Sequence, residues 1–479
     1  MRPSRRRRRE GEYRLDVIGA TLLIQNIGTT RVDISVFGGF IRSVARVSGK
    51  CEYGVVTGRS RVVALSNGAG WCERVPPVLL VLSIAVLAAL FMSFTVGANS
   101  NSAPVAPAVG ANALSVLRAA LLVGVVAGLG AVLQGGSISE TVGKDLVTGV
   151  TVTPLAAAAA LLTAATLITI GNSYGYPIPS AFTVTGAMVG AGVALGGGFA
   201  IQEYLVILGF WGAIPVVEGV IAYGLARGLR SDSVPETLAI PFLGGAVGYA
   251  LANIRLTVVP TASGTQGSVA RYVATTYRLL PATVGGSYTL GMVAVSALGG
   301  LLALVATGLL LRRDEASGIN QFLVALGLVV VFSSGGTQVG LATGPLEAVF
   351  ETDLGLPSIV LLALGGTGIL LGAWIRGPRL VQAVSNEYAS LGPRRSIAAL
   401  IPAFLVAQLA IVLGIPISFN KVMIASIVGS GLAANSAGAS GVSLRKVGIT
   451  VGSWVGSMLG AGLVSYGLYR LLRVLSGVG

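Results

Sequence analysis

Residues 415–431 read IPISFNKVMIASIVGSG, and residues 176–192 read YPIPSAFTVTGAMVGAG. Each stretch opens on or beside a proline, passes through several polar positions and then runs apolar and rich in glycine. Neither apolar run reaches the ~20 residues that a straight helix needs to cross a bilayer. Proline withholds a backbone donor and disfavours helix in the residue before it, so each stretch marks a helix that starts part-way along. Non-helical backbone at membrane depth is tolerated only where protein or a watery cavity surrounds it. Two such breaks at matching places in two halves point to a substrate site between them.

Outward from these breaks the chain is a succession of apolar segments, near 77–96, 113–134, 152–171, 180–198, 204–227, 237–254, 286–311, 321–345, 356–375, 397–414, 417–433 and 447–472. Those at 180–198 and 417–433 read as discontinuous or re-entrant helices, and most of the others are long enough to span. The expected fold class is all-α: a polytopic transmembrane helical bundle of two repeated halves. The halves are expected at residues 77–254 and 321–479, with residues 255–320 supplying a linker and a connecting transmembrane helix.

Composition agrees with this reading. Of 479 residues, 53% are hydrophobic and 10% charged, against about 25% charged in ordinary soluble domains. Mean hydropathy is +0.84. The 69 glycines fit close helix contacts in a membrane, where small residues let backbones approach. Histidine is absent, which excludes histidine zinc sites, histidine proton relays and Ser–His catalytic pairs. Cys51 and Cys72 form no metal-ligand pattern. No GxxxxGK[ST] stretch occurs to hold ATP. The chain therefore reads as a transporter or membrane scaffold and not as an enzyme.

Residues 1–76 stand apart. They hold 14 Lys and Arg against 6 Asp and Glu, whereas the remainder holds 18 against 12. Much of the net charge of +14 thus sits in a short leader and does not imply nucleic acid. The Arg5–Arg9 run is not followed by the apolar core of a secretory signal. Two readings fit: a disordered basic extension touching anionic lipid, or sequence upstream of a true start near Val75 or Val78. The loop arginines, Arg227, Arg230, Arg312, Arg313, Arg376, Arg379, Arg394 and Arg395, follow odd-numbered segments. By the positive-inside rule they place the start of the first segment outside.

The chain also looks duplicated. Residues 93–110 read SFTVGANSNSAPVAPAVG and residues 332–346 read FSSGGTQVGLATGPL, both small and polar at the end of an apolar helix. With the two proline-led breaks these make four stretches, two in each half.

At these four stretches the sequence resembles the inorganic phosphate transporter (PiT) family of sodium- or proton-coupled symporters. That family carries a GANDxANxxGxxVG-like motif and, later, a P-[IV]-S-T-T-H motif in each half. Gly97-Ala98-Asn99 and Val109-Gly110 match the first motif. Gly335, Gly336, Val339, Gly344, Pro345 and Leu346 match its repeat. Pro416-Ile417-Ser418 matches the later motif in the second half, and Pro177 with Ser180 matches it more loosely in the first. Leu117-Arg118, Trp211 and Pro215 also look like family features. The resemblance spans residues 85–473 or so.

The departures fall on charged positions. The family's motif aspartates align with Ser100 and Gln338, and its histidines with Phe182 and Lys421. The resemblance then implies a substrate site built from Asn99, Ser100, Asn101, Ser102, Ser180, Thr183, Thr337, Gln338, Ser418, Asn420 and Lys421. Hydroxyls, amides and the backbone N–H groups of half-helix starts can bind an oxyanion without water. Lys421 is costly inside a membrane, so it reads as a site residue whose fixed ammonium replaces a coupling cation, against snorkelling to a surface. Glu218, in the middle of a segment, reads as a partner for an arginine such as Arg118, or as a proton carrier. Glu140, Lys144 and Asp145 read as a solvated loop cluster. Glu347, Glu351 and Asp353 read as an acidic loop patch, with Glu347 near enough to the repeated motif to reach the site.

The expected function is a symporter of inorganic phosphate across the cytoplasmic membrane, with Na+ or H+ as coupling ion and no cofactor. The expected partners are phosphate or a similar oxyanion and the lipid bilayer; a homodimer stays open. Loss of both aspartates leaves a sulfate or other oxyanion permease as one alternative. A non-transporting scaffold or sensor is another, although an idle site should drift toward apolar packing.

Overall fold

The computed structural model describes residues 77–173, 178–231, 235–259, 266–286, 288–387, 392–433 and 444–476. The basic leader 1–76 and Pro177 lie outside the described residues.

Each expected apolar segment is a helix: α1 Pro77–Ala98, α2 Val116–Gln134, α3 Pro154–Ser173, α4 Ser180–Leu195, α5 Ile201–Gly228, α6 Glu236–Ala252, α7 Leu290–Arg313, α8 Glu315–Thr343, α9 Ser358–Ile375, α10 Pro393–Leu413, α11 Phe419–Leu432 and α12 Leu444–Ser476. Among the described residues, 8 helices are long and apolar enough to span a bilayer, while α4, α6 and α11 are shorter. The molecule is an all-α, multi-pass membrane bundle. Among the described residues, three two-stranded antiparallel ribbons lie in its loops, such as Val147–Thr148 paired with Gly198–Phe199.

The helices pack in a pattern that repeats. In the first half α1 packs on α3, and α3 on α4; in the second, α8 packs on α10, and α10 on α11. The halves also exchange partners. Helix α4 lies against α12, and α11 against α5, while α1 lies against α9 and α8 against α2. Five helices of one half therefore correspond to five of the other. Helix α6 has no counterpart in this pattern and packs chiefly on α7.

Glycine makes the closest crossings possible. A side chain at Gly335 on α8 would collide with the Ala127 carbonyl on α2, and one at Gly130 on α2 with the Phe332 carbonyl on α8. These paired contacts bring the two backbones together where the halves meet, as small residues do in membrane helix packing. Helix α10 ends at Gly414, whose φ of +67° is a left-handed cap that glycine adopts without strain. The chain then runs extended through Pro416 into α11. The turn between α1 and the two short helices Ala103–Val105 and Ala106–Gly110 holds Asn99 to Ser102, all fully buried.

Candidate functional site

Helices α4 and α11 begin inside the protein, not at its surface. Their caps are Pro179 and Ser418, and neither makes a side-chain capping hydrogen bond. The first backbone N–H groups of each helix are thus without the usual cap. Such groups, with the helix dipole behind them, favour a negative charge.

Gln338 joins the two starts. Its Oε1 accepts from Ser180 Oγ at 2.6 Å, and its Nε2 donates to the Ile417 carbonyl at 2.8 Å. Ser100 Oγ lies 3.1 Å from the same Ser180 hydroxyl. The two positions that align with the family's aspartates therefore both touch Ser180. Beside them, Asn420 Nδ2 donates to Asn99 Oδ1 at 2.8 Å, and Asn99 Nδ2 donates to the Ile178 carbonyl at 3.2 Å. Ser334 Oγ donates to Asn101 Oδ1 at 2.9 Å. Asn101 Nδ2 and Ser418 Oγ are buried with no hydrogen-bond partner, which leaves two donors for something else to accept.

The structure thus brings together Asn99, Ser100, Ser180, Gln338 and Asn420, with Asn101 and Ser418 alongside. Other expected site residues turn back on their own segments. Ser102 Oγ donates to the Gly97 carbonyl at 3.1 Å, Thr183 Oγ1 to Pro179 at 2.9 Å and Thr337 Oγ1 to Ser334 at 3.0 Å. Ser334 is the member that sequence reasoning missed; it lies one helical turn before Gln338 on α8, a spacing that places both on one face.

Lys421 has neighbours unlike those expected of it. It follows Asn420, and one residue turns a helix by about 100°. With Asn420 facing Asn99, Lys421 faces α5 and α12. Its Nζ donates to the Trp211 carbonyl and lies 4.8 Å from the Phe182 ring centroid and 4.9 Å from that of Trp454. Pro215 explains why that carbonyl accepts it: proline cannot supply the N–H that would bond the carbonyl four residues earlier. Trp211 is held on both sides, because its Nε1 donates to the Pro416 carbonyl at 2.7 Å and its ring stacks on Phe182 at 3.8 Å. Trp454 was missed as well; an indole on a helix dominated by small residues was the available signal.

Glu218 does not pair with Arg118. Arg118 is exposed in the first turn of α2, which packs on α8 and α9. Glu218 is fully buried on α5, and neither carboxylate oxygen has a hydrogen-bond partner.

The two loop clusters expected separately form one. Lys144 Nζ lies 3.0 Å from Glu351 Oε2 and 4.0 Å from Glu347 Oε1. The Ser358 hydroxyl, 2.6 Å away, and then Lys144 hold the Glu351 carboxyl below its ordinary value. Glu347, just beyond α8, is 5% exposed. Burial pushes its carboxyl up to about 7, against the opposing pull of the Ser139 hydroxyl and Lys144. Its interactions run to this cluster.

The phosphate transporter family signature matches residues 96–465. A candidate phosphate permease of Pyrococcus furiosus is 25% identical over 431 residues, covering 85% of this chain and 99% of the relative. One from Thermococcus kodakarensis is 26% identical over 425 residues, covering 82% and 98%. Among solved structures, one named as the sodium-dependent phosphate transporter shares the fold at a TM-score of 0.69, with 24% identity, 83% of this chain and 100% of that chain covered. With the signature covering most of the chain and running through both motif pairs, the chain belongs to the phosphate transporter family.

Proposed function

We propose that this protein is a secondary transporter that carries inorganic phosphate across the cytoplasmic membrane by ion-coupled symport. The observation that carries the reading is the meeting of two uncapped helix starts, at Pro179 and Ser418, around the buried set Ser100, Ser180, Gln338, Asn99 and Asn420. An oxyanion entering there exchanges its water for hydroxyls, amides and oriented backbone N–H groups. The internal bonds from Ser180 to Gln338 and from Asn420 to Asn99 are of the kind it would replace. Exchange of one satisfied polar set for another avoids the cost of stripping a charge bare.

One observation favours a second substrate. The cluster contains no carboxylate. Monohydrogen phosphate carries an O–H that needs an acceptor; sulfate has none. A sulfate permease is therefore the second reading.

The test is uptake of labelled phosphate into liposomes holding the purified protein, with sulfate as competitor, under separate sodium and proton gradients. Saturable phosphate uptake driven by either gradient supports symport and names the ion. Uptake of sulfate in preference to phosphate supports the second reading. No uptake of either rejects transport and favours a scaffold.

A further inference from the structure

The inward face of α5 is a single stripe: Ile207, Trp211, Ile214, Glu218, Ala222 and Ala226 are its buried positions. Glu218 is the one charged member of that stripe, fully enclosed and without a hydrogen-bond partner. An ionised carboxylate in such a place is tolerated only with a cation near it. Helix α11, packed on α5, supplies one: Lys421 Nζ donates to the carbonyl of Trp211, two helical turns before Glu218 on the same stripe. Of the other elements packed on α5, α10 carries its ionisable residues, Arg394 and Arg395, in its first turn. Those two lie beside Glu236 and Arg230 respectively, and Arg230 is some 18 Å along the chain axis from Glu218 at helical rise.

Lys421 connects this pair to the candidate site. It is the third residue of α11, the helix whose bare start and Asn420 face the polar cluster. With Glu218 ionised, carboxylate and ammonium cancel. When Glu218 takes a proton, an O–H bond forms, the carboxylate charge disappears and the ammonium stands alone beside the helix start. The local charge rises from zero to +1, which favours an anion there.

We infer that Glu218 is the proton-binding residue that couples this transporter, and that Lys421 carries its charge state to the bound oxyanion. This rests on the anion-transport reading above. Proton and anion bind with positive coupling, and by linkage each tightens the other by the same factor. Release of the anion lets the proton leave, and no sodium ion is required.

The experiment compares the full-length wild type with Glu218→Gln and Glu218→Asp in liposomes, with labelled phosphate as probe. Under an inward proton gradient the wild type should accumulate phosphate at least tenfold, as should Glu218→Asp. Glu218→Gln should equilibrate phosphate without accumulating it, while still exchanging internal for external phosphate. In equilibrium binding between pH 5.5 and 8, wild-type affinity should fall as pH rises and that of Glu218→Gln should fall less. Phosphate's own protonation is common to both proteins, so the difference belongs to Glu218. Gradient-driven accumulation by Glu218→Gln equal to wild type would overturn the inference alone, as would wild-type accumulation driven by sodium and indifferent to pH. Absence of phosphate exchange in the wild type would instead overturn the transport reading, and this inference with it.

Discussion

Lys421 Nζ lies 4.8 Å from the centroid of the Phe182 ring, and the two residues occupy the same position, third in their helices, in opposite halves. A fold with repeated packing thus holds unlike chemistry at one pair of matching sites: a cation from one half rests on an aromatic face from the other. Cation–π contact of this kind is worth about 0.5–2 kcal/mol, more when water is excluded. Phe182→Leu should lower thermal stability in detergent by that order and Phe182→Tyr should not. Equal unfolding temperatures for all three proteins would show that the ring adds no cation–π stabilisation.

Ser180 is the hinge of the polar cluster, because Ser100 and Gln338 both meet its hydroxyl. Ser180→Ala leaves Gln338 Oε1 without its donor and removes a ligand from the proposed site. An unsatisfied buried group costs about 1–3 kcal/mol. Phosphate binding measured by calorimetry should weaken by about 10–100-fold. Unchanged affinity would place the anion elsewhere.

Gly335 tests the contact between the halves. Valine there meets the Ala127 carbonyl, which is backbone and does not move aside. Overpacking of this sort costs about 1–3 kcal/mol or more, so Gly335→Val should lower the unfolding temperature in detergent by several degrees. A variant as stable as wild type would mean that α2 and α8 do not approach this closely.

The helices and their limits were legible because membrane helices announce themselves by long apolar runs. The two proline-led breaks were legible for the same reason, as interruptions of such runs. Most of the cluster followed from the motif likeness: Ser100, Ser180 and Gln338 do meet. The direction of Lys421 did not follow, since it depends on which face of α11 turns toward Asn99 and on the carbonyl that Pro215 leaves open on α5. Glu218 misled for a related reason. A buried carboxylate calls for a cation, but only the exchange of partners between the halves shows that α11, not α2, provides it. The packing of α6 on α7 was not legible in the sequence, because both are plain apolar runs.

Glu347 gives a pH signature. Burial raises its carboxyl from 4.5 to about 7, so the folded state holds this proton more tightly than the unfolded chain. The stability so contributed is complete below about pH 4.5 and is lost as pH rises through about 7. Glu347→Gln should flatten that part of the stability curve and gain on wild type above pH 7, measured by thermal unfolding across the range. Parallel curves would show that the group titrates normally.

The exchange of α5 and α12 between the halves bears on ancestry. One repeat translated by itself would carry a short helix with a bare flank, because the helix that covers α4 comes from the second half and the one that covers α11 from the first. A half-length forebear would therefore have folded only by lending that helix to a twin. Joining two such chains would make their mutual dependence permanent and leave each copy free to drift, and the third helical position now holds Phe182 in one and Lys421 in the other.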